Sequence, residues 1–151
     1  MRFAVALITS LALCGSAHRA LAQDARAAST VETSYNGVAL SEWVRQLDDR
    51  SPSARIHAAY VIAELGPAAA QAVPALRLKL GDADPVMRYA AVWALSEIGT
   101  AARVALPELA AHAEDDEVGD VRWIAAKALR KLGVTDARPG QPVTLPPSPP
   151  N

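Results

Sequence analysis

Three arginines recur in register, Arg55, Arg88 and Arg122, and each lies beside an aspartate-rich turn. Those turns carry Asp48 and Asp49, then Asp82 and Asp84, then Asp115, Asp116 and Asp120. A row of guanidinium groups can bind an anion, and a row of carboxylates can bind a cation. The rival reading is a ladder in which Asp–Arg pairs tie each turn to the next. Recurrence favours the ladder, because groups that repeat with the fold serve the fold. Glu114-Asp115-Asp116-Glu117 is the densest acidic run. It lacks the spaced ligands and turn glycine of a calcium loop, so it reads as a solvated connection. His57 and His112 fall in different helices, whereas a zinc site needs at least three converging ligands. No Ser-His-Asp arrangement and no phosphate loop stands out. The expectation is no catalytic residue, no metal and no cofactor.

The elements that would position these groups follow from an internal repeat. Leu47–Gly66 reads LDDRSPSARIHAAYVIAELG and Leu80–Gly99 reads LGDADPVMRYAAVWALSEIG. Gly66 and Gly99 are 33 residues apart, and a third half-copy ends at Gly133, 34 further on. A fixed period of this length signals stacked supersecondary units. Ser51-Pro52 and Asp84-Pro85 read as an N-cap with proline at the first helical position. Gly66, Gly99 and Gly133 read as helix stops. Between them Ala54, Ala58, Val61, Ile62 and Leu65 share one helical stripe, as do Met87, Ala91, Ala94, Leu95 and Ile98, and Val121, Ala125, Ala128, Leu129 and Leu132. These are the A helices. The B helices are expected over about 68–80 and 101–113, each with an interior proline, Pro74 or Pro107, that predicts a kink.

The pattern Asp82-x-Asp84-Pro85-x-x-Arg88-x-Ala90-Ala91-x-x-Ala94-Leu95-x-x-Ile98-Gly99, with Pro107 after it, resembles HEAT repeats. It is most similar to the short HEAT-like repeats of phycobilisome lyases. Tyr35–Leu47 looks like the lead-in half repeat of secreted bacterial HEAT proteins, with Trp43 in register with Leu76 and Leu109. The resemblance implies an all-α, α-α superhelix (a HEAT/armadillo-like solenoid) of about two and a half helix-pair repeats. It is specific for fold and not for function, since one fold hosts many activities; the repeat period itself points to a surface more than to a catalytic pocket. Deoxyhypusine hydroxylase is a HEAT enzyme with His-Glu pairs that hold iron, but here those positions read Ile56-His57-Ala58-Ala59 and Tyr89-Ala90-Ala91. The kinship with bilin lyases leaves one alternative, an enzyme accessory or lyase-like protein acting on a bound cofactor or pigment. Its pocket would lie between B helices near Arg103 and His112.

Residues 1–22 combine Arg2, an apolar run from Phe3 to Leu13 and a small-x-small site at Ala20-Leu21-Ala22. That is a secretory signal peptide cleaved after Ala22, which predicts a secreted or periplasmic protein. Leu11-Ala12-Leu13-Cys14-Gly15 resembles a lipobox, so the alternative is a lipoprotein anchored at Cys14. The apolar run is too short for an integral membrane span. Residues 23–34 read as a linker, 35–134 as the repeat domain and 135–151 as a disordered Pro-rich tail. Net charge is −1, which leaves no basic excess for nucleic acid.

The remaining signal is aromatic. Ile56, Tyr60, Tyr89, Trp93 and Trp123 occupy A-helix positions opposite the core stripes, so they are expected to form one apolar stripe on the outer, convex face. Such a stripe marks a contact site unless the chain's own ends cover it. The third A helix has no B helix after it, which predicts self-association through an uncapped C-terminal repeat. The function expected is a non-catalytic protein–protein interaction or scaffold module, using the aromatic stripe to bind a protein partner.

Overall fold

The computed structural model describes residues 33–145. The signal peptide and its Cys14, nearly all of the linker, and residues 146–151 lie outside the described residues. A short antiparallel hairpin comes first, β1 (Ser34–Tyr35) and β2 (Val38–Ala39). Its turn is Asn36-Gly37, both at positive φ, the pair that suits a tight two-residue hairpin. Six α-helices follow: α1 (Leu40–Gln46), α2 (Pro52–Leu65), α3 (Val73–Lys79), α4 (Pro85–Ile98), α5 (Leu106–Asp115) and α6 (Gly119–Lys131). Helices α2, α4 and α6 are the A helices, and α1, α3 and α5 the B helices. The all-α solenoid expected from the repeat is the observed fold; the hairpin is a small addition.

The A helices stack side by side, α4 between α2 and α6. Each B helix packs on the A helix that follows it: α1 on α2, α3 on α4 and α5 on α6. The six helices therefore also form three packed pairs. Trp43 of α1 is buried against this stack, as its register with Leu76 and Leu109 predicts. The core stripes of α4 and α6 are fully buried. Ala54 and Leu65 at the ends of α2 are only half-buried, because α2 has an A-helix neighbour on one side only. The middle helix shows the converse: Arg88, Ala90, Val92 and Ser96, off the stripe, are buried as well. A helix enclosed on both flanks must be apolar or paired all round.

The A helices start and stop where the sequence marks them. Asp84 caps α4, its carboxylate accepting from the Val86 N–H at 2.9 Å. Gly99 ends it at φ 78°, a conformation that costs a residue with a Cβ far more. The B segments differ from expectation. Each opens as a 3-10 stretch, Gly66–Ala72 or Gly99–Ala105, and turns α-helical only at Val73 or Leu106. Pro74 and Pro107 are thus the second residues of α3 and α5, not interior kinks. The missing proline donor is harmless there, because first-turn N–H groups have no intrahelical partner. Replacing either proline by alanine should shift unfolding free energy by less than about 1 kcal/mol in a urea titration. A kinked interior site would instead return about 3 kcal/mol.

The C-terminal end is also closed. Leu129, Leu132, Val134 and Ala137 are buried, and Val143 and Leu145 pack on the same core. Arg130 Nη1 donates to the Ala137 carbonyl at 2.7 Å, Gly140 N–H to the Ala113 carbonyl at 2.7 Å, and Val143 N–H to Glu114 Oε1 at 2.6 Å. As far as Leu145, then, the expected disordered tail is a docked strap. With α5 on one side of α6 and the strap on the same core, the uncapped repeat that motivated self-association is capped. A chain ending at Val134 should lose thermal stability and associate in sedimentation at micromolar concentration, whereas the full chain should sediment as a monomer.

Candidate protein-docking face

The charged rows resolve into a ladder with two kinds of bond. Within each turn, one aspartate closes a local loop: Asp49 Oδ1 accepts from Ser51 N–H at 2.8 Å, Asp82 from Asp84 N–H at 2.9 Å and Asp116 from Val118 N–H at 2.9 Å. Each arginine donates back to that same residue's carbonyl: Arg55 to Asp49 at 3.2 Å, Arg88 to Asp82 at 3.0 Å and Arg122 to Asp116 at 2.5 Å. Between turns, Arg55 and Arg88 each reach the next aspartate. Arg55 approaches Asp82 at 3.6 Å, and Arg88 grips both oxygens of Asp116 at 3.0 Å. The arginines are occupied by the fold, which is the ladder reading.

The Arg88–Asp116 rung is the buried one; their side chains are 8% and 3% exposed. Burial pushes the Asp116 carboxyl up, but hydrogen bonds from Arg88, the Val118 N–H and His112 outweigh it and hold the carboxyl at about 2. His112 Nδ1 lies 2.9 Å from Asp116 Oδ2, so this histidine serves the ladder. His57 meets Trp43 edge to face at 5.5 Å. Among the described residues, no group of three or more His, Cys, Asp or Glu side chains could hold a metal, and no helix is long and apolar enough to cross a membrane.

The five stripe residues divide into two sets. Tyr60 and Trp93 meet at a tilt of 58°, 5.1 Å between ring centroids, and the Trp93 indole N–H reaches Glu97 at 3.2 Å. Both rings and Ile56 are half-buried against the core. This part of the stripe packs on itself. Tyr89 is half-buried against the same core, but it also borders open surface together with Trp123. Trp123 is 49% exposed, and with Tyr89 it lines a groove of about 420 Å³ between the N-terminal turns of α4 and α6. Pro85 and Val86 of α4, Val118 before α6, and Asp120 and Val121 of α6 complete it. Lys127 Nζ lies over the Trp123 ring, 5.1 Å from its centroid.

Pro85, Val86 and the Val118–Val121 turn were not expected in the site. A signal was present: Val86 stands in register with Ser53 and Asp120, and Val118 with Ser51 and Asp84, so apolar residues replace polar ones. Val86 is 50% exposed. Exposed Leu78 and Val104 are also apolar, but they belong to α3 and a 3-10 stretch. Exposed pairs such as Arg77–Glu108 and Lys131–Glu97 decorate the stack and contribute little to stability.

Stacked helix pairs with an Asp–Arg ladder define a helical-repeat solenoid of the kind that presents surfaces to other proteins. Residues 40–130 match the family model described as HEAT repeats, and the chain belongs to that family. No curated protein and no solved structure matches it.

Replacing Arg88 by alanine strands the Asp116 carboxylate and should cost about 3–5 kcal/mol in chemical denaturation. Arg55→Ala, on a looser and wetter rung, should cost about 1 kcal/mol. Because the Asp116 carboxyl is depressed in the folded chain, its contribution of about 2 kcal/mol is present above the unfolded value near 4. It should fade as pH falls from about 4 through about 2, and Asp116→Asn should flatten that part of the stability profile.

Proposed function

We propose that this domain is a non-catalytic docking module that binds a protein partner through the A-helix groove centred on Tyr89 and Trp123. HEAT repeats commonly mediate protein–protein contacts, and one observation carries the finer reading: Trp123 stands half-exposed beside an apolar groove while Tyr60 and Trp93 satisfy each other. An aromatic ring held in water next to exposed valine and proline is the usual anchor of an interface. The binding set is accordingly Tyr89 and Trp123 with Pro85, Val86 and Val118, flanked by Ile56, Tyr60 and Trp93. The leader-like residues 1–22 support action in the cell envelope or outside it, where intact mass would report cleavage after Ala22 or a lipid on Cys14.

The test compares crosslinked capture from an envelope extract by the full chain and by Trp123→Ala. The variant should lose a partner band by about tenfold or more, with unchanged helicity because the ring is half in water. Equal capture by both chains would remove the groove from the function.

A further inference from the structure

We infer that the groove takes a proline-rich segment of the partner in the extended polyproline conformation, with a lysine or arginine beside the prolines. This rests on the docking reading above and adds its chemistry. A polyproline strand has three residues per turn, no internal hydrogen bonds and carbonyls turned outward. It is held by aromatic walls that flank its rings and by donors that meet its carbonyls. The groove supplies both. Tyr89 and Trp123 stand on facing helices, Pro85, Val86, Val118 and Val121 make the apolar surface between them, and the Tyr89 hydroxyl and Trp123 indole N–H have no hydrogen-bond partner among the described residues. A pair of unused donors on aromatic walls suits a chain rich in acceptors and poor in N–H groups.

Charge sets the neighbour of the prolines. Asp120 lines the groove; Glu117, one residue before Val118, already accepts from Arg88 at 3.2 Å but keeps its side chain 79% exposed. The nearby cations are committed: Arg88 to Asp116 and Glu117, Arg122 to the Asp116 carbonyl and Lys127 to the Trp123 ring. The rim therefore favours a cation on the ligand. Residues 146–151 of this chain, PPSPPN, carry four prolines but no cation, so the partner's segment is the better match.

The probe is a synthetic Arg-Ala-Pro-Pro-Ala-Pro-Pro-Ala-Pro-Pro peptide, titrated into the full chain while indole fluorescence is read. Saturable binding is expected. It should weaken about tenfold in Trp123→Ala and in Tyr89→Phe plus Val86→Ser, and severalfold when glutamate replaces the peptide's arginine. Asp120→Lys should reverse that last preference, and Leu78→Ser, outside the groove, should change nothing. Binding that persists in Trp123→Ala overturns the inference. Binding that emerges only after deletion of residues 146–151 also overturns it, because the chain's own prolines then fill the groove. No peptide binding, together with Trp123-dependent capture of a partner, overturns the proline chemistry and leaves the docking face standing.

Discussion

The stack depends on one buried ion pair. Arg88 lies in the middle A helix, enclosed by α2 and α6, where its guanidinium has almost no access to water. A charge in that position is tolerable only when every donor is met. Arg88 meets the requirement by spanning two turns, donating to the Asp82 and Ala83 carbonyls on its own side and to both Asp116 oxygens on the other. The pair is therefore a statement about register. If α6 slid along α4 by one residue, the bidentate contact would break and leave two unpaired charges. A penalty of several kcal/mol is a large share of the roughly 5–15 kcal/mol by which a domain is stable.

The ladder is graded along the chain, and the grading follows burial. Its first rung, Arg55 to Asp82, is longer, and its side chains are 17% and 15% exposed. Its last arginine, Arg122, donates to the Asp116 carbonyl of its own turn. In repeat proteins stability is carried by interfaces between neighbours, and the buried Arg88–Asp116 pair serves the α4–α6 interface. The groove straddles that interface. Its walls, Tyr89 and Trp123, are held on elements that the Arg88–Asp116 pair fixes relative to one another, which suits a surface that must keep two rings at a set separation.

Much of the fold was legible because period and chemistry agree: the 33- and 34-residue spacings, the glycine stops, the alanine stripes and the Asp–Arg rows all describe one helix stack. Three features were not, for separable reasons. Pro74 sits mid-pattern in a stretch of helix formers, and nothing local shows that the preceding turn is 3-10, which turns an apparent kink into a helix start. The hairpin was signalled by Asn36-Gly37, but its strands are only two residues long and leave no alternation to read. The strap over α6 depends on Ala137, Val143 and Leu145, apolar residues scattered among prolines. Composition alone argued for an unstructured segment, whereas the cover that α6 needs is a tertiary demand.

The candidate site was half legible, and the reason bears on function. Outward helix positions pick out Tyr89 and Trp123, but they also admit Tyr60 and Trp93, since helical geometry cannot say which rings meet across an interface. What separates the two sets is a departure from the repeat at the turns. Val118 occupies the N-cap of α6, where repeat two has Asp84 bonded to Val86 N–H, and it makes no side-chain cap. Valine there forgoes about 1 kcal/mol relative to a capping side chain. The fold makes no use of the substitution in return, because Asp116 already accepts the Val118 N–H and Val118 itself lines open surface. Val86 repeats the argument one helix away, with half of its surface in water. Val118 where a cap favours a polar residue, and Val86 where solvation does, line one groove, and that departure from the repeat is what the proposed docking face would account for.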